Sequence, residues 1–131
     1  MNTLFTVDGI AYDVIVPENG LKRKGSVLDG EKAGRLLSGS MERDIIGTYY
    51  NYTLQIETNR LNPAAYDALF EVLTAPVDYH MVSFPYGQDT LTFRAYVSNV
   101  EDTLKIIQNG VRYWGDVSVN FVAMDPARTN A

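Results

Sequence analysis

Residues 45–57, with the sequence IIGTYYNYTLQIE, are the most regular stretch of the 131-residue chain. One set of alternate positions carries mostly apolar or aromatic side chains, namely Ile46, Thr48, Tyr50, Tyr52, Leu54 and Ile56. The positions between them carry Tyr49, Asn51, Thr53, Gln55 and Glu57. Because successive side chains of a strand point to opposite faces, this period of two predicts one long, half-buried β-strand.

Turn signals on both sides of this stretch predict further antiparallel strands. Asp8-Gly9 separates residues 4–7 from 10–16, and Asn109-Gly110 separates a strand through residues 104–106 from one through 117–121. Both dipeptides supply the positive φ angles of type I′ hairpin turns. The cluster 85–89 (PYGQD) similarly joins a strand at 79–84 to an alternating strand at 91–97. Residues 126–131 are predicted to be a frayed tail.

One helix is predicted, over about residues 62–74. Asn62 is a good N-cap and Pro63 suits the first helical position. The apolar stripe follows as Ala65, Tyr66, Leu69, Val72 and Leu73, and Pro76 stops the helix. Because the helix lies mid-chain and does not alternate with single strands, we expect one mainly β (α+β) domain over residues 1–131, an antiparallel β-sandwich or partly open barrel with one flanking α-helix.

Residues 18–44 show neither a strand period nor a helical period, and we expect a long irregular arm there. Five of the ten glycines and six of the eleven basic residues fall in this segment. Its scattered apolar side chains must pack on the domain itself or on a neighbour, where each contributes about 1.5–3 kcal/mol. The predicted interface residues are Lys22, Arg23, Lys24, Val27, Leu28, Arg35, Leu36, Leu37 and Met41.

The composition leaves few routes to catalysis. The chain has no cysteine and one histidine, so thiol chemistry, cysteine-ligated metals and a multi-histidine metal site are excluded. We expect a structural role for His80 in a strand, and local ion pairing for Glu42 and Asp44. No catalytic residue, cofactor or metal ligand is predicted. The net charge of −5 argues against a nucleic-acid partner, and the absence of an n-region or a long apolar run argues against a signal peptide and a membrane partner.

The stretches 28–35 (LDGEKAGR) and 39–48 (GSMERDIIGT) resemble small tail-associated proteins of siphophages and prophages in Gram-positive gut bacteria. Residues 66–69, 85–88 and 113–115 look similar as well, so the resemblance spans most of the chain. The order of elements also resembles the tail-tube fold of tube proteins and of the N-terminal domain of distal tail proteins. This resemblance implies a homo-oligomer, usually a hexameric ring, that contacts other phage tail proteins in a virion tail made in the bacterial cytoplasm.

Three functions are compatible with the sequence. The leading one is a non-enzymatic tail or baseplate structural subunit that joins its neighbours through sheet edges and the 18–44 arm. The second is a carbohydrate- or peptide-binding module whose aromatic faces carry Tyr49, Tyr79, Tyr86, Tyr96, Tyr113 and Trp114. The third, a hydrolase using His80 or the Glu42/Asp44 pair, has the least support.

Overall fold

The computed structural model describes residues 4–29, 34–35, 41–43 and 45–129. Within these ranges the chain is mainly β, with one short helix beside a curled antiparallel sheet. The strands are β1 (Thr6–Val7), β2 (Leu21–Asp29), β3 (Gly34–Arg35), β4 (Met41–Glu42), β5 (Ile45–Ile56), β6 (His80–Tyr86), β7 (Asp89–Tyr96), β8 (Val100–Gln108), β9 (Val111–Ala123) and β10 (Arg128–Thr129), and helix α1 is Pro63–Leu73. No helix in the described ranges is long and apolar enough to cross a membrane.

The long strand predicted at residues 45–57 is β5, and it lies at the centre of the sheet. One edge of β5 pairs with β2 along almost its whole length, from Leu21 opposite Leu54 to Asp29 opposite Ile45. The other edge pairs first with β10, at residues 47–48, and then with β9, at residues 52–56. The local strand order is therefore β2-β5-β9-β8, with every neighbour antiparallel.

The sheet curls into a half-barrel because β9 pairs with two groups of strands. β8 pairs along most of one edge of β9. β7 pairs with the same edge farther along, at Val122 and Ala123. β6 and then β1 continue outward from β7. Where β9 leaves β5, the Ala123 amide donates a 2.8 Å hydrogen bond to the Asn51 side chain, which satisfies a backbone donor at the fork.

The core fills the concave side of this half-barrel, under one face of α1. It combines the predicted inward positions of β5 and β9 with residues of β6 and the helix, namely Tyr52, Leu54, Ile56, Val117, Val119, Phe121, Val82, Phe84, Tyr66, Leu69 and Leu73. The Tyr52 and Phe84 rings stack at 4.6 Å. Ile46 lies on the same face of β5 as Tyr52 but is 48% exposed. The first half of β5 therefore extends beyond the core, which covers only the second half.

The predicted helix and hairpin turns are confirmed. The Asn62 side chain accepts a hydrogen bond from the Ala65 amide, Pro63 opens α1, and the helix ends before Pro76. Asn109 and Gly110 both have positive φ between β8 and β9, as a type I′ turn requires. Asp8 and Gly9 adopt the same conformation.

Three local predictions are wrong. Residues 21–29 of the expected irregular arm form β2, and no period marks them because both faces of this edge strand are largely exposed. The expected frayed tail contains β10, which pairs with β5. The strand predicted at residues 10–16 does not pair along residues 4–7. The first hairpin has a single bridge, between Val7 and Ile10, because the following segment turns toward β5, where Ile15 bridges Glu57.

Candidate functional site

The predicted interface residues fall into three groups. Five of them, Lys22, Arg23, Lys24, Val27 and Leu28, lie on β2 and are exposed. Arg35 of β3 and Met41 of β4 are opposite each other in a two-residue ladder. Leu36 and Leu37 lie outside the described residues. The structure therefore places most of the described interface prediction on one edge strand.

β2 and β8 are the two outer edges of the four-strand order β2-β5-β9-β8. Within the described residues, each pairs on one side only. The β2 edge carries three basic side chains, whereas the β8 edge carries Glu101 and Asp102 with Lys105. Unpaired edges present rows of backbone donors and acceptors, which makes them natural sites for strand addition.

Apolar side chains accompany both edges. Val27 of β2 pairs with Thr48, which shares its face of β5 with Ile46, and both Val27 and Ile46 are 48% exposed. At the other edge, Leu104, Ile106 and Ile107 of β8 are exposed. These residues lie on strands that extend beyond the core, so their own domain leaves them uncovered.

A groove of about 440 Å³ lies between α1 and the β8–β9 hairpin. Asp67, Phe70 and Glu71 come from one face of the helix, because positions i, i+3 and i+4 are neighbours on a helical surface. Asp102 of β8 and Trp114 of β9 complete the lining. The groove thus combines two aromatic rings with three carboxyl groups.

Irregular pairing shapes the hairpin beside this groove. The β8–β9 register shifts between Glu101 and Thr103 and again between Leu104 and Ile106, and Asp116 has a φ of +57°. Such bulges bend a strand and increase its twist. The Lys105 ammonium donates to Asp116 at 2.6 Å across the irregular region.

Asp102 is held at the groove by the helix. The Tyr66 hydroxyl donates a 3.1 Å hydrogen bond to Asp102 Oδ2. Burial raises the pKa of Asp102, and the neighbouring Asp67 charge acts in the same direction, whereas the hydrogen bond from Tyr66 opposes them. Burial and the Asp102 charge also raise the pKa of Tyr66, so its hydroxyl stays a donor at neutral pH.

The sequence reasoning included Trp114 but missed the acidic residues around it. Asp67 and Glu71 are visible in the sequence as an i, i+4 pair on the predicted helix. Their proximity to Asp102 depends on the bulged hairpin, which the alternation pattern does not reveal. Three of the other five aromatic residues of the predicted binding faces have separate partners: Tyr79 lies under Arg94, Tyr113 under Arg60 and Tyr86 under Arg23.

His80 lies in the buried end of β6. It is 4% exposed, and its Nδ1 donates to the Asp8 carboxylate at 2.8 Å. Asp44 lies outside the described residues, and Glu42 belongs to β4. Across the part of the chain that the structure describes, no three metal-ligating side chains form a group that could hold an ion.

No protein-family model matches this chain, and no curated protein shows significant similarity to it.

Proposed function

We propose that this chain is a non-enzymatic structural subunit of a phage tail or baseplate, which self-assembles into a ring and joins neighbouring tail proteins. The observation that carries the assembly part is the pair of outer edges, β2 and β8, at opposite sides of one antiparallel sheet. A contact between two different patches of the same subunit repeats from copy to copy, and it closes into a ring when the rotation allows. The virion location and the number of six subunits come from the resemblance.

The side chains at the two edges favour a contact between them. β2 carries Lys22, Arg23 and Lys24, and β8 carries Glu101 and Asp102, so the edges are oppositely charged at part of their length. Such complementarity steers association and sets register more than it adds affinity. Burial of the exposed apolar residues at both edges supplies the affinity.

The test compares oligomeric state between edge variants and a matched control. Ile107→Lys places a charge at the β8 edge, on a side chain that is 59% exposed, and Val27→Lys does the same at β2. Leu61→Lys is the control, because Leu61 is 97% exposed and lies on neither edge. We expect native mass spectrometry and light scattering to show a ring for the wild type and the control, and monomers for both edge variants.

Two results would contradict the proposal. One is a wild-type protein that stays monomeric at high concentration, both alone and with its tail partners. The other is a ring that is equally stable in all three variants. Circular dichroism of each variant separates loss of assembly from loss of the fold.

A second candidate function, a carbohydrate-binding module, is favoured by the groove lined by Phe70, Trp114, Asp67, Glu71 and Asp102. Aromatic rings pack against the apolar faces of sugars, and carboxylate oxygens accept hydrogen bonds from hydroxyl groups. The volume of about 440 Å³ is within the range of small-ligand sites.

Trp114 is the only tryptophan of the chain, so its fluorescence reports on this groove directly. If the chain has this second function, we expect some sugars of a glycan panel to change the Trp114 emission in a saturable way. We also expect Trp114→Ala to lose binding on a glycan array. Leu61→Ala serves as the control variant. A panel without saturable changes or array signals would reject this function and leave the assembly proposal untouched.

A further inference from the structure

A second polar cluster lies on the concave side of the β2–β5 ribbon, away from the groove. It contains Tyr50 of β5, Tyr86 at the end of β6, Arg23 of β2 and Arg128 of β10. The register places Arg23 opposite Tyr52 and Arg128 opposite Thr48. Since Thr48, Tyr50 and Tyr52 alternate on one face of β5, both arginines belong to the face that carries Tyr50.

The two phenols form the centre of the cluster. Their rings meet edge to face at 4.9 Å, and the Tyr86 hydroxyl donates a 3.0 Å hydrogen bond to the Tyr50 oxygen. The Arg23 guanidinium lies 5.3 Å from the centre of the Tyr86 ring. The hydrogen bond from Tyr86 and the adjacent Arg128 guanidinium lower the pKa of Tyr50, which marks a surrounding that favours negative charge.

These arginines differ from the two arginines that form ion pairs within the described residues. Arg43 and Arg94 form ion pairs with Asp29 and Asp125, whereas Arg23 and Arg128 have no carboxylate at ion-pairing distance within the described residues. The chain as a whole carries more acidic than basic residues, 16 against 11. Two arginines without an acidic partner on one face of such a chain form a local positive site.

The hydrogen-bond donors of the cluster and the access to Arg23 both favour a ligand site. The Tyr50 oxygen accepts from the Tyr86 hydroxyl and from the Arg128 guanidinium, so its own O–H is the group left to donate, and Arg128 keeps further N–H donors for a ligand. Arg23 itself lines an open pocket of about 240 Å³ with Leu21, Tyr52, Pro85 and Gly87, which leaves its guanidinium accessible; Tyr50 and Arg128 are not part of that lining. The Tyr52 hydroxyl is already used on the Pro85 carbonyl, so the donors left for a ligand are Arg23, Arg128 and Tyr50.

We propose that Arg23, Arg128 and the Tyr50 hydroxyl form an oxyanion site that takes a carboxylate or phosphate group. Guanidinium groups bind both through paired N–H donors, and charge-assisted hydrogen bonds are stronger than neutral ones. The ligand is either a free anion or a carboxylate presented by another copy of the chain. Arg23 is also one of the basic residues of the β2 edge, but anion binding at the site does not require that the edges assemble.

The experiment follows the arginine side-chain Nε–Hε signals by NMR at neutral pH. Acetate and inorganic phosphate are added separately, with sodium chloride at matched ionic strength as the reference. We expect saturable shifts at Arg23 and Arg128 and none at Arg112, an exposed arginine of β9. Arg23→Gln is expected to weaken binding about tenfold and Tyr50→Phe by a smaller factor, whereas Arg112→Gln leaves binding unchanged.

Sedimentation velocity in the same solutions separates the sources of the ligand. If the wild type self-associates, if acetate dissociates it while sodium chloride at matched ionic strength does not, and if Arg23→Gln is already dissociated without acetate, the site binds a carboxylate of a neighbouring copy. If the anions bind and association does not change, the site binds a free anion, and both results support the site. Absence of saturable shifts at Arg23 and Arg128, or equal binding by wild type and Arg23→Gln, would overturn it.

Discussion

The Tyr66 hydroxyl and the Asp102 carboxylate are joined by a 3.1 Å hydrogen bond that connects helix α1 to the outer strand β8. Tyr66 is 4% exposed and belongs to the core, whereas Asp102 lines the groove. The bond therefore fixes one wall of the groove to the interior of the domain. Its two partners can be changed separately, because phenylalanine keeps the ring and asparagine keeps an acceptor.

Asp102→Asn is expected to stabilise the protein at pH 7. The pKa of Asp102 is raised in the folded state, so folding favours its protonated form, and stability falls as pH rises from the unfolded pKa through the folded one. Asparagine removes that cost at neutral pH but gives no gain in acid, where the carboxyl is protonated in both states. The gain is at most about 1 kcal/mol because the group is mainly solvated. Urea unfolding at pH 7 and pH 3 measures it, and an equal effect at both values would contradict the assignment.

Asp8 has the opposite pH dependence. Burial raises its pKa, but hydrogen bonds from His80 and the Met81 amide, with the His80 charge, outweigh burial and lower it. The contribution of the carboxylate is therefore present above its unfolded pKa of about 3.8 and is lost as pH falls through the lower folded value. Against Asp8→Asn, we expect the wild type to be more stable by about 1 kcal/mol at pH 6 and to lose that advantage near pH 3.

Thermal unfolding of the two proteins across this range gives the comparison. Asparagine is the suitable replacement because Asp8 has a φ of +54°, which asparagine tolerates better than alanine does. A stability difference that stays constant down to pH 3 would show that the carboxylate charge does not act through His80 and Met81.

Asn59 is a buried side chain that attaches the segment before β2 to the start of α1. Its amide donates to the Asp13 carbonyl at 2.8 Å, and its oxygen accepts from the amides of Leu61 and Asn62. Asn59→Ala removes three part-buried hydrogen bonds, and we expect a loss of about 1–2 kcal/mol in the free energy of unfolding. Leu61→Ala, at a fully exposed neighbouring position, is expected to change it by less than about 0.5 kcal/mol. Chemical denaturation of both variants checks the difference, and equal losses would argue against the network.

Gly115 is required by the close approach of β9 to Thr58, two residues after the end of β5. A Cβ at this position would overlap the Thr58 hydroxyl and lie 3.0 Å from the Thr58 amide nitrogen. Gly115→Ala is expected to destabilise the protein by about 1–3 kcal/mol, because either strand must shift. Thr58→Ala in the same chain should recover part of that loss. If the double variant is no more stable than Gly115→Ala alone, the steric explanation is wrong.

The sequence predicts the parts of the fold that have a repeating burial pattern. The alternation in β5 and β9 and the stripe on α1 follow from residues that face one core, so their burial is readable from spacing. β2 has nine residues without such a pattern, because among the described strands it pairs with β5 alone and its faces are mostly exposed. β10 has two residues, too few for any period to show.

The groove was less predictable than the strands around it. Trp114 and the pair formed by Asp67 and Glu71 can be picked out in the sequence, but nothing in their spacing joins them. Their meeting with Asp102 depends on the register shifts of the β8–β9 hairpin and on the positive φ of Asp116. A pattern with a period of two cannot locate an irregularity that breaks that period.

The continuity of β7 and β8 along one edge of β9 has a consequence for the order of events during folding. The Asn109-Gly110 turn joins β8 to β9 over short chain separations, so loop closure between these two strands costs little entropy. β1 and β10 instead meet β6 and β5 across most of the chain. We therefore expect the hairpin to be formed in the folding transition state and the two terminal strands to join afterwards, with φ-values near zero at Val7 and Arg128.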